Sequence, residues 1–202
     1  MKNLIKISKF VFVLFLLSCA TSASSEEVAL LNLAFERVTD QDPKNVFPNK
    51  NVGCEVIINK PVDHRLYKDN LGTTFSDKPV VSTQHMEDWL ESALLGLKSI
   101  GINTSKGQEA NKNNILLSTT LNKLYVWSHG MRLYATIVLE ANYSDPSTGK
   151  AYTKNYRISG SKLNWWGADS EFATTINISA NRLIEQIATD LEKQCGTTTA
   201  AM

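Results

Sequence analysis

The sequence of 202 residues has little of several features that mark particular protein classes. It has three cysteines, which are too few for a disulfide scaffold and lack the spacing of a zinc site. Its 21 basic and 20 acidic residues give a net charge of +1, whereas nucleic-acid-binding domains usually carry a strong basic excess. With 43% hydrophobic and 20% charged residues, the composition is neither disordered nor fibrous. We therefore expect a globular protein that binds no nucleic acid.

Motifs of known catalytic sites are also missing. The sequence has no G-x-S-x-G nucleophile turn, no H-E-x-x-H zinc helix, no phosphate-binding P-loop and no dinucleotide fingerprint. Its three histidines, His64, His85 and His129, fall in separate predicted elements. The Asp63-His64 pair has groups that can bind a metal or act as a base, but no partner lies near it in sequence. The sequence therefore predicts no catalytic residue, no cofactor and no metal site.

The N-terminus has the three-part pattern of a secretory signal peptide. Lys2, Lys6 and Lys9 precede an unbroken apolar run at residues 10–17, and small or polar residues follow. This run is too short to cross a bilayer, which requires about 20 apolar residues. Residues 1–18 are therefore predicted to be removed, and the loss of the three lysines makes the mature chain slightly acidic.

Cys19 comes directly after this segment and resembles the cysteine of a bacterial lipobox, which becomes the acylated first residue of the mature chain. Several acyl chains, at about 0.8 kcal/mol per buried CH₂, anchor a protein durably without a spanning helix. Ala20 follows, and by resemblance to bacterial sorting rules this predicts the periplasmic face of the outer membrane. The alternative is ordinary cleavage after Ala23, which would discard Cys19 and leave a periplasmic or secreted protein.

Two cysteines, Cys54 and Cys195, remain in the predicted mature chain. In an oxidising compartment such a pair is a candidate disulfide, for which the chain-entropy model gives about 4–5 kcal/mol at most. Two separate buried thiols are the alternative. A catalytic thiol is disfavoured, because neither cysteine has a Cys-x-x-Cys partner or an evident histidine partner.

The mature chain is predicted to contain one domain. Residues 19–27 are small and polar and form a tether, residues 28–196 form a single periplasmic domain, and residues 197–202 form a flexible tail. Residues 28–35 are mostly apolar and fit either a helix or a buried strand. Residues 52–59 are rich in β-branched side chains and are predicted to form a strand.

Three further segments, residues 115–127, 131–143 and 151–159, are predicted to form an antiparallel meander. The middle segment has the clearest pattern, because its odd-numbered residues are apolar and nearly all its even-numbered residues are polar. The connections at 128–130 and 145–149 contain the glycine and proline residues that are typical of hairpin turns.

Two helices are predicted beside this sheet. The first begins at a cap provided by Ser82 or Thr83 and ends where Gly101 and Ile102 have the pattern of a Schellman motif. The second covers residues 170–194, in which apolar residues recur at helical spacing.

The segments between these elements, residues 61–79 and 103–114, are polar and are predicted to be irregular. The expected fold class is therefore α+β, as a single two-layer sandwich. Its sheet would be mainly antiparallel, with the meander and one or two N-terminal strands, and both helices would pack on one face.

Aromatic residues are the strongest candidates for a binding surface. Tyr125 and Trp127 come from the meander, and Trp165 and Trp166 follow it. Neighbouring side chains of an extended segment point to opposite sides, so Trp165 and Trp166 cannot both face the core. An exposed tryptophan near a sheet edge is a typical contact for a partner, whereas a tryptophan that closes the rim of the core is structural. We treat all four residues as candidates for partner binding.

The chain resembles the YajG-like family of uncharacterised bacterial lipoproteins. The residues that carry this resemblance are Leu124-Tyr125, the Thr-Lys-Asn-Tyr-Arg stretch at 153–157, the last helix with Ile187, Ala188 and Asp190, and the lipobox-like N-terminus. The resemblance implies a compact α+β periplasmic domain on an outer-membrane lipid anchor, and it implies no known activity or catalytic residue.

These observations predict a non-catalytic lipoprotein of the bacterial cell envelope that binds an envelope protein or glycan. One alternative is an accessory lipoprotein for lipid or small-molecule transport, with an apolar groove between the sheet and the helices. A more remote alternative is a periplasmic hydrolase without a known motif, in which His64 would be required.

Overall fold

The computed structural model describes residues 28–38, 52–164 and 170–195. The described residues form a nine-stranded sheet, two α-helices and a 3₁₀ helix. In chain order the elements are β1 (Ala29–Leu31), β2 (Glu55–Ile58), β3 (Val62–Asp63), β4 (Gly72–Thr73), β5 (Pro79–Ser82), α1 (Met86–Leu95), the 3₁₀ helix (Gly96–Ile100), β6 (Thr104–Lys106), β7 (Asn114–His129), β8 (Arg132–Asp145), β9 (Lys150–Leu163) and α2 (Ser170–Cys195).

The predicted meander is present as β7, β8 and β9, which pair antiparallel along their length. The odd-numbered residues of β8 from Leu133 to Tyr143 are all buried, as the alternation predicts. His129 pairs with Arg132, so the β7–β8 turn has two residues rather than the predicted three. Gly130 occupies this turn with φ 57°, a left-handed conformation that glycine adopts without steric cost.

The rest of the sheet differs from the expected sandwich. Along its second edge, β7 pairs in succession with β2, β3 and β4, and all three run parallel to it. β2 also pairs with β6, and β4 continues through β5 to β1. The α+β class is correct, but the sheet is mixed and curls into a half-barrel, so a meander with one or two added strands is wrong. Strands of two to four residues are too short to show a periodic pattern.

The segment at 28–35, which fitted a helix or a strand, is extended. Ala29, Leu31 and Leu33 are buried and Leu30 is 62% exposed, which is the two-residue period of a strand. Two buried asparagines of α2 bind the backbone of the residues that follow β1. Asn177 Nδ2 donates to Ala34 O at 2.9 Å, and Asn181 Nδ2 donates to Glu36 O at 3.1 Å.

Helix α1 begins later than predicted. His85 is the N-cap residue and its side chain makes no capping hydrogen bond, so a cap at Ser82 or Thr83 is wrong. The two hydroxyls are used before the helix instead. Ser82 Oγ accepts from the backbone N–H of Gln84, and Thr83 Oγ1 donates to Leu31 O on β1.

The end of this helical segment agrees with the sequence pattern. The 3₁₀ helix follows α1 directly, and Gly101 ends it with φ 90°. Ile102 N then donates to Leu97 O at 3.2 Å, which is the long hydrogen bond of a Schellman motif.

Helix α2 packs closely on β8 and β9, and α1 packs beside α2 against β2 and β3. The close approach depends on Gly160, where a Cβ atom would lie 2.9 Å from the backbone nitrogen of Ser179. At the same level, Ser179 Oγ donates to Ala135 O on β8 at 3.0 Å. The helix layer is therefore fixed to the sheet by both packing and hydrogen bonding.

The two ends of the described body are distinct. At one end, which we call the hairpin end, lie the β7–β8 turn, the β4–β5 turn, the end of β9 and the start of α2. Leu163 pairs with Arg132 next to the β7–β8 turn, β4 runs parallel to β7 towards this end, and the rings of Phe75 and Phe172 lie 6.4 Å apart. At the other end, Cys54 precedes β2 near the start of β7.

Candidate functional site

Three aromatic side chains stack in a row on the outer face of the sheet, away from α2. The ring centroids of Tyr125 and Trp127 lie 6.0 Å apart, and those of Trp127 and Tyr134 lie 5.5 Å apart. The rings are close to parallel, with interplanar angles of 25° and 16°. Trp127 of β7 and Tyr134 of β8 face each other across the two strands. We call these residues the aromatic row.

A β-bulge explains why the aromatic row faces outward. The pairing of β7 with β8 shifts between Leu121 and Lys123, so Asn122 is one extra residue in β7. Odd-numbered residues of β7 are buried before the bulge, and Leu124 and Val126 are buried after it. Without the extra residue, the two-residue period would turn Tyr125 and Trp127 towards the core.

Basic and hydroxyl side chains border the aromatic row. Lys123 Nζ lies 5.5 Å from the centroid of the Tyr125 ring, in a cation–π arrangement. Beside Tyr134, Arg132 Nη1 donates to Ser161 Oγ at 3.1 Å on β9. This surface combines ring edges, hydroxyls and cations, which are groups that bind a partner by contact and hydrogen bonding.

A second cluster of tyrosines lies on the inner face, under α2. Tyr156 donates a hydrogen bond to Asp190 Oδ2 at 2.8 Å, because an ionised carboxylate can only accept. Tyr143 then donates to the hydroxyl oxygen of Tyr156 at 2.6 Å. Lys154 Nζ lies 2.5 Å from the same carboxylate oxygen, and the rings of Tyr143 and Tyr152 stack at 4.5 Å.

The electrostatics of this cluster favour a structural role. Burial raises the pKa of Tyr143 and of Tyr156 above the usual range, and burial together with the charge of Asp190 raises the pKa of Tyr152 to about 12. Burial also opposes ionisation of Asp190, but the hydrogen bonds from Lys154 and Tyr156 outweigh it and hold the pKa of that carboxyl below its usual value. All three tyrosines therefore stay protonated near neutral pH, and Tyr156 remains the donor to an ionised Asp190.

A buried ion pair accounts for Asp63, which the sequence paired with His64. The Arg65 guanidinium donates to both carboxylate oxygens of Asp63, at 2.9 Å to Oδ1 and 2.8 Å to Oδ2. Burial opposes ionisation of Asp63, but the hydrogen bonds and charge of Arg65 lower the pKa of its carboxyl overall. His64 points to the opposite side and is exposed. The structure therefore does not bring Asp63 and His64 together.

A cavity of about 600 Å³ lies between this ion pair and the start of α1. Its lining includes Lys68 together with the carboxylates of Asp69 and Glu87. Because charges of both signs share the rim, the lining defines no single ligand chemistry. Among the described residues, no group of three or more histidine, cysteine or acidic side chains is placed to bind a metal ion.

Cys54 and Cys195 are joined by a disulfide, with their Cα atoms 5.6 Å apart. The bond closes a sequence separation of 141 residues and ties the residue before β2 to the last residue of α2. Of the two alternatives for these cysteines, the structure therefore has the bonded one.

The candidate residues for partner binding and lipidation lie only partly within the residues that the structure describes. Tyr125 and Trp127 lie together, and Tyr134, which the sequence placed on the polar face of its strand, completes the row with them. Cys19, Trp165 and Trp166 lie outside the described residues. The predicted tether and tail also lie outside them, and the helices of the described part include none with the length and hydropathy to cross a bilayer.

The layer between the sheet and the helices is filled with side chains. Leu94 and Leu97 on the α1 side, Ile187 on α2 and Leu124 on β7 are each at most 3% exposed. Phe35 also packs against this layer. The packing of the described residues gives no support to an apolar transport groove at this position.

The fold and the site together define an α+β domain with an aromatic surface on a mixed, curled sheet. Neither a protein-family model nor a curated protein sequence matches the chain. Its fold is similar to the crystal structure of a Xanthomonas campestris protein described by the family model DUF330. The TM-score is 0.56 at 11% identity, over 86% of this chain and 99% of that one.

Two further solved structures are similar. One is an uncharacterised protein, with a TM-score of 0.51 at 8% identity over 72% of this chain and 96% of that one. The other is a minor lipoprotein from Acinetobacter baumannii, with a TM-score of 0.40 at 10% identity over 71% of this chain and 94% of that one. At identities of 11% and 8%, the likeness to the first two structures concerns the fold alone.

Proposed function

We propose that the protein is a lipoprotein of the bacterial cell envelope, anchored through Cys19 at the periplasmic face of the outer membrane. Its domain binds another envelope component through the aromatic row and catalyses no reaction. The observation that carries this proposal is the stacked, outward-facing arrangement of Tyr125, Trp127 and Tyr134.

The anchor is supported by the sequence and by the disulfide. Residues 1–18 have the pattern of a signal peptide, and Cys19 stands where a lipobox cysteine belongs. The Cys54–Cys195 bond is of the kind that persists in an oxidising compartment, such as the periplasm. Both observations favour an exported protein.

Binding is supported by the chemistry of the aromatic row. Aromatic side chains offer large contact area with little loss of side-chain entropy, which is why tyrosine and tryptophan are common at binding hot spots. Both neighbours of Trp127 stack on its ring, so the central ring of the row offers its edge rather than a free face. A sugar would require a free ring face for stacking, so we favour a protein partner over a glycan.

A non-catalytic role is supported by the pairing of the buried carboxylates with basic and hydroxyl side chains. Asp63 is bound by Arg65, and Asp190 is bound by Lys154 and Tyr156. The hydrogen bonds and charges of these partners hold each carboxylate in its ionised form. Each cluster therefore stabilises the fold.

Crosslinking in intact cells, followed by purification of the protein, tests the binding surface. We expect the unmodified chain to recover a defined envelope partner and Trp127→Ala to lose most of it. Tyr67→Ala is a control, because Tyr67 is an aromatic residue of the β3–β4 connection that is 73% exposed and does not belong to the aromatic row. Equal recovery by Trp127→Ala and the unmodified chain, with both folded by thermal melting, would exclude this surface. Recovery of a glycan instead would reverse the choice of partner class.

Labelled palmitate tests the anchor. We expect incorporation into the unmodified chain and none into Cys19→Ala. Label that persists in Cys19→Ala, or is missing from both proteins, would contradict lipidation at this residue.

A further inference from the structure

Exposed apolar side chains gather at the hairpin end. Met131 in the β7–β8 turn is 54% exposed, Phe75 in the β4–β5 turn is 44% exposed, and Leu163 at the end of β9 is 42% exposed. Asn164 N donates to Met131 O at 3.0 Å, which keeps the end of β9 beside the β7–β8 turn. On the surface of a soluble protein, exposed apolar residues are normally scattered singly. Here three exposed apolar residues come from neighbouring turns and strand ends.

The direction of β1 brings the start of the described domain to this same end. β4 runs parallel to β7, β5 runs antiparallel to β4, and β1 runs parallel to β5. β1 therefore runs away from the hairpin end. Val28, which precedes it and is 42% exposed, lies on the hairpin-end side of the strand.

The length of the tether limits which end of the domain can reach the membrane. Nine residue steps separate Cys19 from Val28, and at 3.3–3.6 Å per residue they span at most about 32 Å. Val126, at the level of β1, lies twelve residues from the start of β7 at Asn114, which is about 40 Å along a strand. A tether of this length therefore favours the hairpin end, and not the disulfide end, as the end that faces the bilayer.

From these three observations we propose that the hairpin end lies on the surface of the lipid bilayer, with Phe75, Met131 and Leu163 in contact with lipid. This inference rests on the anchor at Cys19 in the proposed function. The anchor makes the contact effectively intramolecular, so a small apolar area is sufficient for docking. Two residues separate Trp127 of the aromatic row from the β7–β8 turn, so its partner would bind on the side of the domain, next to the membrane.

A photo-reactive amino acid at Met131 tests the proposal in the full chain, in cells whose phospholipids are labelled with radioactive phosphate. We expect labelled lipid adducts after irradiation. The matched control is the same amino acid at Thr148, an exposed residue in the β8–β9 turn at the disulfide end, where we expect no adduct. Adducts at Thr148 but not at Met131 would overturn the orientation. Adducts at Met131 with protein only would show that a protein covers this end, and would overturn the contact with lipid.

A second set of variants asks whether the apolar side chains themselves make the contact. With the photo-reactive residue at Leu163, we expect Met131→Asp to reduce lipid adducts several-fold and Thr148→Asp to leave them unchanged. An unchanged yield with Met131→Asp would count against lipid contact at the turn.

Palmitate labelling in the same cells tests the anchor separately from the contact with lipid at the hairpin end. Palmitate incorporation without lipid adducts at Met131 would leave the anchor intact and overturn the docking. Loss of palmitate from the unmodified chain would overturn the anchor and, with it, the docking.

Discussion

Tyr156 on β9 donates a hydrogen bond to the Asp190 carboxylate on α2 at 2.8 Å, and so joins the last strand of the meander to the last helix. Lys154 and Tyr143 complete this cluster. The structure gives these residues a shared physical role, which is to hold α2 on the sheet.

Replacing Tyr156 by phenylalanine tests this role. The change removes one donor from Asp190 and leaves the Tyr143 hydroxyl without its acceptor, so we expect a loss of about 1–3 kcal/mol in the free energy of unfolding. Urea denaturation at pH 7 measures it. Tyr152→Phe is the control, because that ring stacks on Tyr143 but its hydroxyl takes no part in the cluster. Equal stability of Tyr156→Phe and Tyr152→Phe would contradict the assignment.

The dependence of the free energy of unfolding on acidic pH gives a second test of the same cluster. The pKa of Asp190 is lowered in the folded protein, so its contribution to stability is present above the unfolded value of about 3.9 and is lost as the pH falls through the folded pKa. We expect Asp190→Asn to destabilise the protein at pH 7. The difference from the unmodified chain should begin to shrink as the pH falls below about 4, and should be smallest below the folded pKa, where the carboxyl is protonated in both states. A difference that stays constant from pH 7 to pH 2.5 would rule out an ionic contribution from Asp190.

The disulfide is expected to contribute measurably to stability. Because Cys54 and Cys195 close a separation of 141 residues, we expect the double variant Cys54→Ser, Cys195→Ser to lose about 2–5 kcal/mol. Thermal melting with and without dithiothreitol provides the comparison. Reductant should lower the melting temperature of the unmodified chain to that of the double variant and leave the double variant unchanged. A melting temperature of the unmodified chain that does not respond to complete reduction would contradict this contribution.

The fold could be predicted where long segments carry a periodic pattern. Residues 131–143 alternate clearly enough to give both the strand and its buried face, and the spacing of apolar residues gives α2. β3 and β4 could not be found in this way, because two residues show no period. Their parallel pairing with β7 depends on contacts between distant parts of the chain, which no local pattern contains.

The candidate site was only partly predictable for a related reason. Tyr125 and Trp127 could be chosen as aromatic residues of a predicted strand. Simple alternation along the strand does not give the side of the sheet that they face. The signal that gives it is a change of phase in β7: the buried apolar positions are odd up to Leu121 and even from Leu124. In the sequence, this change of phase marks the position of the bulge at Asn122.

Deleting Asn122 tests whether the bulge places the aromatic row. Without the extra residue, either Tyr125 and Trp127 turn inward or the start of β7 slips by one position, and each outcome exposes a set of core side chains. We expect a loss above about 4 kcal/mol, enough to prevent stable folding, as measured by circular dichroism and urea denaturation. Asn122→Ala is the control, because it keeps the residue count and changes only an exposed side chain, so we expect a change within about 0.5 kcal/mol. A folded deletion variant that still binds the partner through Trp127 would show that register along β7 does not depend on this residue.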